Sequence, residues 1–171
     1  MLRWVLVVCL VMPLAGCGSG EFRQLDAERQ TAWLALQPLY QLRTALALNV
    51  LNSTQSQLAP EVRDRLLRTR HRAQTLPPLP TPDDTALLQA QVVAQSEFAA
   101  ALAPLLVQAR RQAGLLPLVQ QLEGLDNRIR VEQQRYVLAT NRYNQLRQAF
   151  PSSLTAWARG LEPRPVWPPL P

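Results

Sequence analysis

An all-α fold, an antiparallel up-and-down bundle of about four helices with long helices, is what this sequence predicts. Three observations carry that expectation. Leucine, alanine, glutamine and arginine dominate the 171 residues, and all four favour helix. Apolar residues recur at steps of three and four along two long stretches. Prolines stand where those stretches should start or stop. With 47% apolar and 18% charged residues, the composition is that of a folded chain, not a disordered one. No strand pattern and no internal repeat is visible.

The first segment, residues 1–16, reads as a lipoprotein signal peptide. Arg3 supplies a positive n-region, Trp4 to Leu14 a brief apolar h-region, and Leu14-Ala15-Gly16-Cys17 a lipobox. An uncleaved span is disfavoured: a hydrocarbon core of ~30 Å takes about 20 apolar residues, and Pro13 and Gly16 interrupt this stretch. Cys17 is therefore the expected lipidation site and the first residue of the mature chain. The chain is expected to sit in a bacterial cell envelope, anchored to a membrane by lipid. Gly18, not aspartate, follows the cysteine, which in enterobacteria-like sorting points to the outer membrane facing the periplasm. Cys9 leaves with the signal, so no thiol remains for a disulfide, a metal or nucleophilic catalysis.

Residues 17–23 are expected to form a flexible, lipidated spacer, and residues 24–160 the bundle. A first helix should run from about Gln24 to Leu58, with Leu25, Ala32, Leu36, Leu39, Leu46 and Val50 as its stripe. Pro38 should kink it or shift its start. Pro60-Glu61 opens a second helix to about Thr75, and Leu76 to Pro80 forms a stiff linker. Thr81 can cap a third helix, with Pro82 in its first position, running to Ala113 with Gly114 as its C-terminal cap. In the last long helix Leu115, Leu118, Leu122, Leu125, Ile129, Glu132, Tyr136, Ala139, Tyr143, Leu146 and Phe150 form one unbroken seam. Pro151 ends it. A short helix capped by Ser152 or Ser153 should reach Arg159, with Gly160 after it. The tail, residues 161–171, is proline-rich and should be extended and available to other envelope proteins.

All 18 basic residues are arginine, and the net charge is +6. That balance suits anionic lipid headgroups or a polyanionic cell-wall polymer, or it is simply a solvated surface. Arg63, Arg65, Arg68, Arg70 and Arg72 crowd the second helix and are the candidates for headgroup contact. They lack interleaved aromatics, so nucleic acid is not an expected partner. His71 is the sole histidine, so a metal site is not expected. No cofactor motif and no catalytic constellation can be assembled from the sequence. Glu132 is the carboxylate in an otherwise apolar seam. It should find Arg128, Arg135 or an arginine on a facing helix, either as a register-setting pair or as part of a polar groove.

The segment Gln121-Leu122-Glu123-Gly124-Leu125-Asp126-Asn127-Arg128-Ile129, then Tyr143-Asn144, then Phe150-Pro151, resembles the LemA family. Leu25-Asp26 and Ala32-Trp33 match its opening helix. Arg159-Gly160-Leu161 and Pro163-Arg164-Pro165 extend the match at the other end. Two departures stand out. A second Tyr-Asn pair one heptad earlier is Tyr136-Val137 here, and Leu46-Ala47-Leu48-Asn49 lacks the family's proline. The resemblance implies a membrane-anchored antiparallel bundle outside the cytoplasm and brings no established catalytic residues. Asn127 and Arg128 lie ~24 Å along the helix from Tyr143 and Asn144, so they cannot form one compact site. They are expected to tie helices together or to present an interaction face. The expected function is a noncatalytic envelope scaffold or protein-interaction module, with an envelope protein as partner. The alternative is a binding module for anionic lipid or cell-wall polymer through the arginine face. An envelope hydrolase comes last, since it would need perturbed carboxylates in a deep pocket.

Overall fold

The two long apolar stripes pack on each other. In the computed structural model, which describes residues 19–54, 58–77 and 79–167, α1 (Ser19–Thr54) and α4 (Leu116–Gln148) share the largest interface. Phe22 meets Tyr143, Trp33 meets Tyr136 and Arg43 meets Asp126, so the two helices are antiparallel. A second hairpin, α2 (Pro60–Thr75) on α3 (Thr85–Ala109), lies against them, and a short 3-10 turn (Ala113–Leu115) leads into α4. α5 (Ser152–Ala158) folds back on α4. The described residues contain no strand, and the all-α bundle expected from the sequence is what forms. The signal peptide and Cys17 lie outside the described residues.

The core has three parts along the spine. At one end Phe22, Leu25, Tyr143 and Ala156 cluster. In the middle Trp33, Leu36, Leu88, Ile129 and Tyr136 are buried together. At the far end Val50, Leu66, Phe98, Leu102, Leu105 and Leu122 join all four long helices. Each such side chain stabilises the fold by about 1.5–3 kcal/mol when fully buried. α3 is apolar enough by length and composition to cross a membrane, with a mean hydropathy of 1.4. Here its buried face, Leu88 to Ala109, belongs to the bundle core.

Several boundaries differ from the sequence expectation. α1 begins at Ser19, so residues 19–23 are helix rather than spacer. Burial of Phe22 against Tyr143 rewards that extension. The helix passes through Pro38, which lies on its exposed side, where water can take the carbonyl that proline leaves unpaired. Asp84, not Thr81, caps α3 by accepting from the Leu87 amide at 3.0 Å. Gly114 caps nothing and sits in the 3-10 turn. The α4 seam holds from Leu115 to Leu146, with Leu115, Leu118 and Leu146 partly buried against the core, Val119 joining Leu118 at the start and Glu132 half-buried. Phe150 lies beyond its end and is 80% exposed. No serine caps α5, which follows Pro151 directly. At its C-terminus Gly160, at φ +60°, lets the Leu161 amide reach the Ala156 carbonyl (2.9 Å) and its own amide reach that of Trp157 (3.1 Å). This is a Schellman turn, and it aims the following segment back along α4.

Candidate functional site

Two arginines stand in the apolar stripe of α1. The steps Leu25, Arg29, Ala32, Leu36, Tyr40, Arg43, Ala47, Val50 keep to three and four, so Arg29 and Arg43 point inward, at 2% and 3% exposure. A buried guanidinium needs partners on every side. Arg29 donates through Nε (3.1 Å) and Nη2 (2.9 Å) to Asp26, through Nη2 to Asp83 (2.8 Å), and through Nη1 to the Pro82 carbonyl (3.4 Å). Burial opposes its charge, but the Asp26 hydrogen bond, the Asp83 carboxylate and the Tyr136 hydroxyl outweigh it, and its pKa lies above the ordinary value. Arg29 thus pins the loop before α3 onto α1. The Trp33 indole does the same beside it by donating to the Leu79 carbonyl at 2.7 Å.

Arg43 does for α3 and α4 what Arg29 does for that loop. It donates to Asp126 of α4 (3.2 Å) and to both the side-chain oxygen (2.7 Å) and backbone carbonyl (3.1 Å) of Gln95 in α3. Its guanidinium also lies over the rings of Tyr40 and Phe98, 5.4 and 5.5 Å from their centroids. Burial raises the pKa of Tyr40, whose hydroxyl accepts from Gln133 at 3.2 Å.

The tail completes the first arginine cluster. Arg164 pairs with Asp26 (2.8 Å) and Asp83 (3.5 Å), and its guanidinium rests 5.3 Å from the Tyr143 ring centroid. Asn144 holds the Arg164 backbone from both sides, donating to its carbonyl (2.9 Å) and accepting from its amide (2.8 Å). Arg147 donates to the Leu161 carbonyl at 2.8 Å. The Tyr136 hydroxyl donates to the Pro165 carbonyl (2.9 Å), and Trp167 stacks edge-on against the Tyr136 ring at 5.6 Å. Burial raises the Tyr136 pKa, with Arg29 pulling it partly back. The tail is extended as expected, but through Trp167 it is a strap on its own bundle and not a free arm.

The expected polar residues therefore divide. Tyr143 and Asn144 are buried or half-buried and hold α1 and the tail. Asn127 and Arg128 are exposed and tie no helices together; Asp126, their neighbour, makes the bond to α1. Glu132 is half-buried, with 17% of its side chain exposed, and takes Arg135 (2.9 Å), not Arg128, as its partner. It lines a groove of about 550 Å³ between α1 and α4, floored by Ala27, Ala32, Leu138 and Ala139 and flanked by Glu28, Arg135 and Arg142. On α2, Arg72 pairs with Glu97 (2.8 Å), Arg70 donates to the Thr44 carbonyl (3.4 Å), and Arg63 lies by Asp64 (3.6 Å). Arg65 and Arg68 are exposed and enter no ion pair among the described residues.

Sequence reasoning missed Arg29, Asp26, Asp83, Arg43, Gln95 and Arg164. The usable signal was an arginine falling on the apolar stripe at a heptad-compatible position, twice in one helix. Among the described residues no three histidine, cysteine or acidic side chains gather closely enough to hold a metal. No curated protein matches the sequence. The profile of the LemA family matches residues 32–168, a span that contains α2, α3, α4, α5, the strap and most of α1.

Proposed function

Since the chain belongs to the LemA family, we propose that it is a LemA-type lipoprotein, anchored through Cys17, that serves as a noncatalytic scaffold for other envelope proteins. One observation carries this reading: the chain's unusual polar groups are spent on rigidity. Arg29, Arg43, Asp26, Asp83, Asn144 and Arg164 are all engaged in holding helices, loop and strap. The groups with displaced pKa, namely Arg29, Tyr40 and Tyr136, belong to that framework, and Tyr40 alone of them also lines a cavity, of about 450 Å³, whose other polar walls are amides and a hydroxyl. What faces outward is the α1–α4 groove, apolar along its floor and charged with both signs at its rim. That pattern suits the amphipathic helix of a protein partner.

The second reading, binding of anionic lipid or cell-wall polymer through α2, rests on Arg65 and Arg68. Arg70 meets α1 at Thr44, about 33 Å beyond Phe22 at 1.5 Å per residue. An upright bundle anchored at Cys17 would hold that face well away from its own membrane, which favours a polymer over a headgroup as its ligand.

Two experiments test the proposal. Cys17→Ser should abolish labelling by fatty acid and displace the protein from membranes; unchanged labelling would refute the anchor. Leu138→Glu places a charge on the groove floor at an exposed position. It should abolish co-purification with a partner while leaving the melting temperature within about 2 °C, since exposed substitutions are usually within ±0.5 kcal/mol.

A further inference from the structure

The three aromatic and aliphatic side chains around α5 have no function in the bundle. Phe150 is 80% exposed, Leu154 58% and Trp157 85%. They are close in the chain: Leu154 and Trp157 are three apart on one face of α5, and Phe150 immediately precedes the turn into it. The opposite face of α5, Thr155 and Ala156, is buried, with Ala156 beside Phe22 and Tyr143. Phe22 is three residues into α1, about 4.5 Å along the axis from Ser19, and Cys17 is two residues further, at most ~7 Å of chain. The patch and the expected lipid attachment therefore share one end of the molecule.

We infer that Phe150, Leu154 and Trp157 seat this end of the bundle in the interfacial zone of the bilayer that holds the lipid of Cys17. The inference rests on the lipoprotein reading and adds an orientation to it. Tryptophan and phenylalanine suit that zone because their rings are apolar in body, and the indole N–H can stay wet. Around the patch, exposed Glu21 and Glu162 offset exposed Arg23 and Arg159, and half-buried Arg147 leaves only one net positive charge, so electrostatic attraction to headgroups is not its main basis. The acyl chains supply attachment; the patch fixes the angle. With α5 seated, α1 and α4 rise from the membrane and carry the groove with them, its membrane-proximal lining being Gln24, Ala27 and Glu28.

The test uses the full lipoprotein, purified with its anchor and reconstituted into vesicles of phosphatidylcholine brominated on the acyl chains. The N-terminal peptide is weighed first, so that acylation of Cys17 is known. Mature protein has tryptophan at positions 33, 157 and 167, and Trp33 is buried. Trp157→Ala, an exposed substitution, isolates the contribution of Trp157. We expect brominated lipid to quench Trp157 by about twofold or more relative to unbrominated lipid, with the same quenching in ~0.5 M salt. Equal fractional quenching in the wild type and in Trp157→Ala, with Cys17 acylated, would overturn the membrane seat and leave the lipoprotein reading intact. An unacylated Cys17 would overturn both.

Discussion

Arg29 and Arg43 are the residues on which the spine depends, and each is destabilising without its partners, although the buried Nε of Arg43 has none. Removing one partner of a buried pair costs about 3–5 kcal/mol, whereas an apolar replacement of similar volume is often near neutral. Arg29→Ala should therefore lose several kcal/mol in urea unfolding, and Arg29→Met much less; equal losses would contradict the buried geometry. Asn144 makes a narrower case. Asn144→Ala removes both hydrogen bonds to Arg164, at about 1 kcal/mol each. We expect calorimetry to show a melting temperature lower by about 4–8 °C. Tyr40 and Tyr136 give the fold a dependence on alkaline pH. Burial raises both pKa values, so above about pH 10 the unfolded chain gives up protons that the folded one retains. Their contribution is complete below that pH and declines as pH rises through it, by up to about 1.4 kcal/mol per unit per tyrosine. Stability that stays flat from about pH 9 to pH 11 would contradict it.

At the scale of elements, the strap from Leu161 to Trp167 is a structural member. A chain ending at Gly160 should melt earlier, and its amides around Tyr136 to Asn144 should exchange faster, because the Tyr136 and Asn144 partners have gone. Gly160→Ala should cost about 1–2 kcal/mol, since an alanine at φ +60° is strained. The elements themselves were legible because hydrophobic period and proline placement are local: α2 runs over the residues that Pro60 and the following linker marked out. The start of α3 differs from the expected Thr81 cap because Arg29 holds the Pro82 carbonyl and the Asp83 carboxylate across the fold, so the helix begins later with Asp84 as its cap, which no local pattern reveals. The strap was misread for a related reason. Its prolines do specify extended chain, but what it lies on is decided by Tyr136 and Asn144, distant in sequence. Of the candidate polar positions, Tyr143 and Asn144 were identified through resemblance. Arg29 and Arg43 were passed over because arginine was read as surface even where the period placed it inside.

For the molecule as a whole, the parts are arranged along the bundle axis, which the proposed anchor at Cys17 would turn into height above a membrane. The aromatic patch and α1 start share one end, the α1–α4 groove lies next, and the arginines of α2 stand far beyond. Under the proposed scaffold role, a rigid spine with an open groove would hold a partner at a set distance from the membrane, and the internal use of the buried charges supplies the rigidity. The most direct test is a photocrosslinking residue at Leu138, 57% exposed on the groove, in the full-length lipoprotein inside cells, with Val107 on α3, 52% exposed, as the control position. We expect a discrete protein adduct at position 138 and none at 107, with the adduct lost when Glu28→Arg reverses a charge at the groove rim. No adduct at 138 above the level at 107, in cells where the lipidated protein is present at normal abundance, would contradict the scaffold role.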